Sequence, residues 1–227
     1  MHEGHSPLVF LFDVDNTLID NDRVVADLAE HLARRFGSET RDRYFVLLEK
    51  LRDEQGYVDY LGALQRYRNE HPRDVRLLEM SSFLIDYPFA DRLYPGALDA
   101  IGHCQQFGPT VILSDGDVVF QPRKVERSGI GAAVHGNVLI YIHKEYELAD
   151  IERRYPADHY VLVDDKPRIV AAIKLLWNER VTTILPRQGH YALDPAAASQ
   201  SPAADITINR IGELPQLDLP TICSRRA

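Results

Sequence analysis

The chain predicts an α/β fold built on a parallel sheet, and three observations carry that reading. Short continuous apolar runs recur along it, segments of helical period separate most of them, and its 227 residues suit one medium domain carrying an insertion. An unbroken apolar run of four or five residues, closed by polar ones, is the pattern of a strand buried on both faces. The first run is Leu8 to Phe12, after Pro7. Others lie at Thr110–Leu113, Val138–Ile142, Tyr160–Val163 and Val181–Leu185, with a weaker one at Asp205–Ile208. Strands alternating with helices require crossover connections, hence parallel pairing.

Nearly a hundred residues separate the first two runs, far more than one crossover needs, and most are helical in pattern. Val24, Leu28, Leu32 and Phe36 recur every fourth residue, with Asp22 the expected N-cap and Gly37 the stop. Tyr44, Leu47, Leu48 and Leu51 follow a second stripe, Val58, Leu61 and Leu64 a third, and Val75, Leu78 and Leu84 a fourth. Residues 20–92 are therefore read as an inserted helical unit, with 1–19 and 93–227 as the core. Pro95 is expected at the first position of the helix that re-enters this core. Val125 marks a short helix after the second run, and Ile169, Val170, Ile173 and Leu176 a longer one after the fourth. The Ala- and Ser-rich stretch from Pro195 to Pro202 reads as a surface loop.

Composition removes several classes of function. Hydrophobic residues make up 45% and charged ones 26%, ordinary for a globular chain, and the net charge of −8 is a poor match to a nucleic-acid backbone. No apolar run reaches membrane-spanning length, and the first seven residues lack a signal-peptide layout. Cys104 and Cys223 are too few for a disulfide framework and match no metal-knuckle spacing. A cytoplasmic setting is the resulting expectation.

Chemistry concentrates where the runs end. Asp13 and Asp15 follow the first run, at the carboxyl end of a buried strand, where open α/β sheets bind ligands. Such a pair can hold a hard divalent cation, or divide into nucleophile and acid/base. The competing reading is a simple turn rich in Asp and Asn. Asp164 and Asp165 repeat the arrangement after Val163, Ser114 puts a hydroxyl at the end of another run, and Lys144 follows the Val138–Ile142 run and its polar exit, His143.

Asp13-x-Asp15-x-Thr17, Ser114, Lys144 and Asp164-Asp165, in that order, resemble the four motifs of the haloacid dehalogenase superfamily. Tyr94-Pro95-Gly96 and the context of residues 164–172 are similar as well, so the resemblance spans nearly the whole chain. It implies a Rossmann-like core with a helical cap inserted after the first motif. It further implies that Asp13 is a nucleophile forming an aspartyl-phosphate and Asp15 the general acid/base, which also offers its backbone carbonyl to Mg2+. Ser114 and Lys144 would hold the phosphoryl oxygens. Asp13, Asp15 and Asp165 would be metal ligands, and Asp164 a further ligand or an outer partner. A phosphoryl group spreads negative charge over three oxygens, so a carboxylate nucleophile needs cationic help. The departures are Asn16, where many relatives carry Gly, and Lys166-Pro167-Arg168-Ile169 after the second acid pair. Lys124 is the rival to Lys144, but its place inside a helix makes Lys124→Ala an expected near-neutral change.

The expected activity is magnesium-dependent hydrolysis of a small-molecule phosphate monoester, without nucleic-acid or membrane partners. A sugar-phosphate mutase or phosphotransferase would share the chemistry. A 2-haloacid dehalogenase would have no use for Asp15 as acid or for a metal at Asp165. A phosphoacceptor signalling module, from a different class, would hold phosphate once and carry no long insertion. Blander readings cover the rest: His2 and His5 as terminal residues, Gly129-Ile130-Gly131 as an incomplete dinucleotide loop, and Arg34-Arg35, Arg153-Arg154 and Arg225-Arg226 as solvated faces. Arg66, Tyr67, Arg68 and His71 read as an amphipathic helix surface rather than anion ligands.

Overall fold

The computed structural model describes residues 5–196, 202–219 and 221. The chain enters through β1 (Ser6–Phe12), then forms α1 (Asn21–Phe36), α2 (Ser38–Gln55), α3 (Tyr60–Glu70) and α4 (Leu77–Asp86) before a 3-10 turn at Phe89–Arg92. It continues through α5 (Ala97–Cys104), β2 (Thr110–Asp115), α6 (Phe120–Arg127), α7 (Ile130–Ala133), β3 (Val138–Tyr141) and a 3-10 turn at Lys144–Tyr146. The remainder is α8 (Leu148–Arg154), β4 (Ala157–Val163), α9 (Pro167–Trp177), β5 (Val181–Pro186), α10 (Gly189–Leu193) and β6 (Ile206–Ile208).

All six strands pair in parallel, in the order β3-β2-β1-β4-β5-β6. The sheet separates two apolar layers because side chains alternate along each strand. Leu8, Phe10 and Phe12 of β1 face one layer, with Ile101, Val125 and Ile211; Val9 and Leu11 face the other, with Ile169, Ile173 and Trp177. β1 is central, and the connections from β1 to β2 and from β3 to β4 run to opposite sides of it. Such a switch in strand order opens a crevice beyond the carboxyl ends of the strands.

The helices between β1 and β2 share the first of these layers with the sheet. Val24, Leu28 and Leu32 of α1, Tyr44 and Leu48 of α2, and Tyr60, Ala63 and Leu64 of α3 are buried in the same cluster as Phe10 and Phe12. Their entry and exit lie side by side: Ile19 bridges Leu93, and Asp20 N–H donates to the Arg92 carbonyl at 2.8 Å. Tyr60 and Phe120 rings meet at 4.8 Å, joining α3 to α6.

Several local expectations are corrected. Asp20, not Asp22, caps α1, accepting from the Arg23 N–H, which leaves Asp22 inside the first turn to bind elsewhere. The fourth stripe is out of phase: Val75 and Leu78 are exposed, whereas Met80 and Leu84 face inward. Pro95 precedes rather than opens α5, because Gly96 in the left-handed region (φ 82°) makes the turn. Its missing Cβ also leaves room for Gly212. On α9 the inward residue is Trp177, and Leu176 is exposed. Part of the Pro195–Pro202 stretch, His2, Cys223 and Arg225-Arg226 lie outside the described residues. Among the described residues, no helix is long and apolar enough to cross a membrane.

Candidate active site

Four strand exits converge on one point. Asp13 leaves β1, Ser114 ends β2, Lys144 begins the turn after β3, and Asp164-Asp165 follow β4. Parallel pairing aligns these exits, since Phe12 is in register with both Ile112 and Val163. Lys144 is the hub. Its fully buried Nζ lies 2.6 Å from Asp13 Oδ1 and 2.7 Å from Asp164 Oδ2, and donates to the Leu113 carbonyl at 3.1 Å. Asp115 fixes the backbone of this lysine by accepting its N–H at 2.7 Å. The two carboxylates keep the ammonium charged, outweighing burial.

The second acid pair is built by its own backbone. Asp164 Oδ1 accepts from the Lys166 N–H at 2.8 Å, and Thr17 Oγ1 accepts from the Asp165 N–H at 3.0 Å. Thr17 thereby ties the first motif to the last. Asn16 adopts the left-handed region at φ 59°, which turns the chain between Asp15 and Thr17; Asn tolerates this conformation well.

Asp13, Asp164 and Asp165 each bring a carboxylate oxygen within 4.8 Å of the others, all three buried. Asp13 Oδ2 and both Asp165 oxygens have no hydrogen-bond partner. Buried polar atoms are rarely left unpaired, and burial of three carboxylates together is costly without a cation. Burial, then the neighbouring charges of Asp164 and Asp13, push the Asp165 carboxyl well above the usual carboxylate range. Burial chiefly lifts Asp164 to about 6. Burial also opposes the charged form of Asp13, but Lys144 and Lys166 outweigh it and hold that group low. A hard divalent cation, which favours oxygen ligands, fits these residues.

Asp15 points the other way, into a cavity of about 470 Å³ bounded by Arg52, Tyr57, Tyr60, Phe120 and Tyr191. Its Oδ1 accepts from Lys124 Nζ at 2.6 Å, and Oδ2 lies 3.5 Å from Gln121 Nε2. Gln121 also donates to Ser114 Oγ at 2.9 Å, so one α6 side chain bridges the hydroxyl and the acid. Sequence reasoning placed a helix here but missed that its Gln121 and Lys124 meet Asp15. Lys124 is fully buried, pairs with Asp15 and donates to Asn21 Oδ1 at 2.9 Å, a geometry that argues against the near-neutral Lys124→Ala expected from sequence. A signal was present: Gln121 and Lys124 are spaced i, i+3 and so share a helix face with buried Val125. Arg52 and Tyr191 were missed too, and nothing local marks them; Lys166 stood out only as a departure after the second acid pair.

The blander readings fare as follows. Arg66 pairs with Glu54, and neither borders the cavity at Asp15. His5 binds Asp158 at 2.6 Å, Gly129 starts the short α7, and Arg34, Arg153 and Arg154 pair with acids on their own helices.

A model of the haloacid dehalogenase-like hydrolase family matches residues 8–176. The chain belongs to this family. A crystal structure from Burkholderia xenovorans LB400, described as a haloacid dehalogenase-like hydrolase, is similar over 94% of this chain and 99% of its own, at 62% identity and a TM-score of 0.90. The fold also resembles an L-2-haloacid dehalogenase from Xanthobacter autotrophicus with chloropropionic acid covalently bound. That structure is 19% identical, with 93% and 98% of the two chains covered and a TM-score of 0.60. A magnesium-bound hydrolase from Bacillus subtilis is 15% identical, with 92% and 97% covered and a TM-score of 0.59. Among curated proteins none matches the chain.

Proposed function

We propose that this hydrolase is a magnesium-dependent phosphatase acting on small-molecule phosphate monoesters through an aspartyl-phosphate on Asp13. The observation that carries the reading is the set of unpartnered buried oxygens on Asp13 and Asp165. Hydrolysis of a carbon–halogen bond by Asp13 would give such a cluster no task, whereas phosphoryl transfer needs its charge offset.

Asp13 and Asp165 would hold the cation, with Asp164 beside them and the Asp15 backbone carbonyl as a further ligand. When bound it supplies positive charge against the phosphoryl oxygens. The chain's own groups account for the remainder. Lys144 and Ser114 hold the phosphoryl oxygens while the Asp13 carboxylate attacks phosphorus. The bond from phosphorus to the ester oxygen breaks, and Asp15 gives that oxygen a proton. Asp15 then takes a proton from water, whose oxygen attacks phosphorus, releasing phosphate and restoring Asp13. Lys124 and Gln121 hold the acid in place.

Release of nitrophenolate from an aryl phosphate, with Mg2+ and with excess chelator, tests the metal assignment; full activity in chelator would sink it. Halide release from 2-chloropropionate, with no phosphate release from any ester, would replace this reading with dehalogenation. The acid role is tested separately with Asp15→Asn. Nitrophenolate leaves without a proton and an alkoxide does not. Rapid-quench kinetics should show the variant forming phosphoenzyme from the aryl ester, as a stoichiometric burst, but scarcely from an alkyl ester. Equal losses on both, with no burst, would remove Asp15 from the acid role.

A further inference from the structure

Among the described residues, five lysine and arginine side chains border the site, and they fall into two groups. Lys124, Lys144 and Arg168 are each committed to a carboxylate, at 2.6 Å from Asp15, 2.6 Å from Asp13 and 2.7 Å from Glu145 respectively. Arg52 and Lys166 are not. Arg52, on α2, gives Nη2 to the Tyr191 hydroxyl and reaches a carboxylate only at 3.5 Å, that of Glu49 one turn back. Lys166 Nζ has no hydrogen-bond or ion-pair partner among the described residues; it lies 5.8 Å from the centroid of the Tyr191 ring. The two cations thus flank a single tyrosine, one at its hydroxyl and one over its face.

Both also face the same space. The cavity at Asp15 and an adjoining one of about 430 Å³ share Asp15, Asn21, Arg52, Val58, Tyr60, Lys166 and Tyr191 in their walls. A phosphoryl group seated on Asp13, Ser114 and Lys144 would have its organic part run past Asp15 into this space. The cations met there, beside Asp15, are the Lys166 ammonium, which makes no direct ion pair among the described residues, and the Arg52 guanidinium, a group shaped to grip a carboxylate or phosphate with two donors. An anionic ligand placed between the two cations would gain a charge-assisted contact with each.

We propose that Arg52 and Lys166 form a second anion subsite. The favoured substrates are then phosphate monoesters that carry a further anionic group, carboxylate or phosphate, on the alcohol that leaves. This rests on the phosphatase reading, and the experiment is arranged so that the two can fail separately.

Matched esters provide the test. 3-Phosphoglycerate and glycerol 3-phosphate differ in a carboxylate against a hydroxymethyl group, and fructose 1,6-bisphosphate and fructose 6-phosphate in a second phosphate. In the unaltered enzyme at least one anionic member should be favoured in kcat/KM by about tenfold or more, chiefly through KM, as a charge-assisted contact implies. The pair that shows the preference tells carboxylate from phosphate. Arg52→Gln and Lys166→Met should each reduce that ratio to about threefold or less. Equal kcat/KM within both pairs, or a ratio that both substitutions leave intact, overturns the subsite. If no ester is turned over, the phosphatase reading falls alone. Calorimetric titration of Asp13→Asn with the same four esters then decides the subsite. Tighter binding of an anionic member supports it, and equal binding or none overturns it.

Discussion

Lys124 Nζ is buried between Asp15 and Asn21, and its removal would strand the carboxylate beside it. Breaking one side of a buried ion pair costs about 3–5 kcal/mol. With a quarter of the Asp15 side chain open to solvent, the lower part of that range applies. Lys124→Ala should therefore lower both the unfolding midpoint and turnover, and Lys124→Arg should not restore turnover, because a planar guanidinium does not reproduce the compact ammonium that meets Asp15 and Asn21 together. Unchanged denaturant unfolding in Lys124→Ala would show that the pair contributes nothing. The second acid pair makes a sharper contrast. Both Asp165 oxygens are unpartnered, whereas Asp164 already meets Lys144 and the Lys166 N–H. Asp165→Ala should abolish the response to Mg2+ in a binding titration. Asp164→Ala should keep that response yet lose turnover, because Lys144 loses an anchor (loss of one oxyanion donor costs about 3 kcal/mol). The reverse pattern would interchange the two roles. These residue types were legible from spacing, since strand ends in a parallel sheet must meet. Which oxygen stays unpaired was not, because that depends on where the Lys166 N–H and the Lys144 ammonium fall.

At the scale of elements, α10 shows how a short segment with no sequence signal completes the cavity. Gln188 Nε2 donates to the Thr17 carbonyl at 2.8 Å, and His190 N–H donates to Asp22 at 2.9 Å, so α10 clasps the chain just after the first motif. Gly189 makes this approach possible. It sits at φ 75°, and a Cβ there would collide with the Asn16 side chain. Gly189→Ala should cost stability and, by shifting Tyr191, raise KM more than it lowers kcat. Wild-type kinetics in that variant would show that the clasp is unrelated to substrate. The helical stripes teach a related lesson. Periodicity found the buried faces of α1 and α2, whose stripe residues are all buried. It mis-phased α4, because Val75 lies in the turn at Asp74 before the helix and Leu78 falls on the outer face of its first turn, opposite Met80 and Leu84.

Across the whole molecule, the buried carboxylates of Asp164 and Asp165 at the head of the sheet, both pushed up chiefly by burial, oppose folding when ionised until a further cation offsets them. A ligand that binds only the folded chain stabilises it by about 2.7 kcal/mol at a hundredfold excess over Kd. Mg2+ should therefore raise the Tm of the unaltered protein. Asp165→Asn, which removes one of the repelling charges, should raise the metal-free Tm and abolish the Mg2+ increment. A Tm indifferent to Mg2+ in the unaltered protein would count against a metal at this cluster. The sheet and the order of its motifs followed from the sequence alone. Continuous apolar runs can be satisfied only as strands covered on both faces, and parallel strands bring their exits together. What the sequence did not contain was the depth of each charge and the identity of its partner. Lys124 has no site residue beside it along the chain, and Lys166, though it directly follows Asp165, gives no sign in the sequence of where its ammonium lies. Only the packing of α6 and α9 against the strand ends makes one of them the partner of Asp15 and leaves the other facing the cavity, since ion pairing depends on distance through space and on exclusion of water.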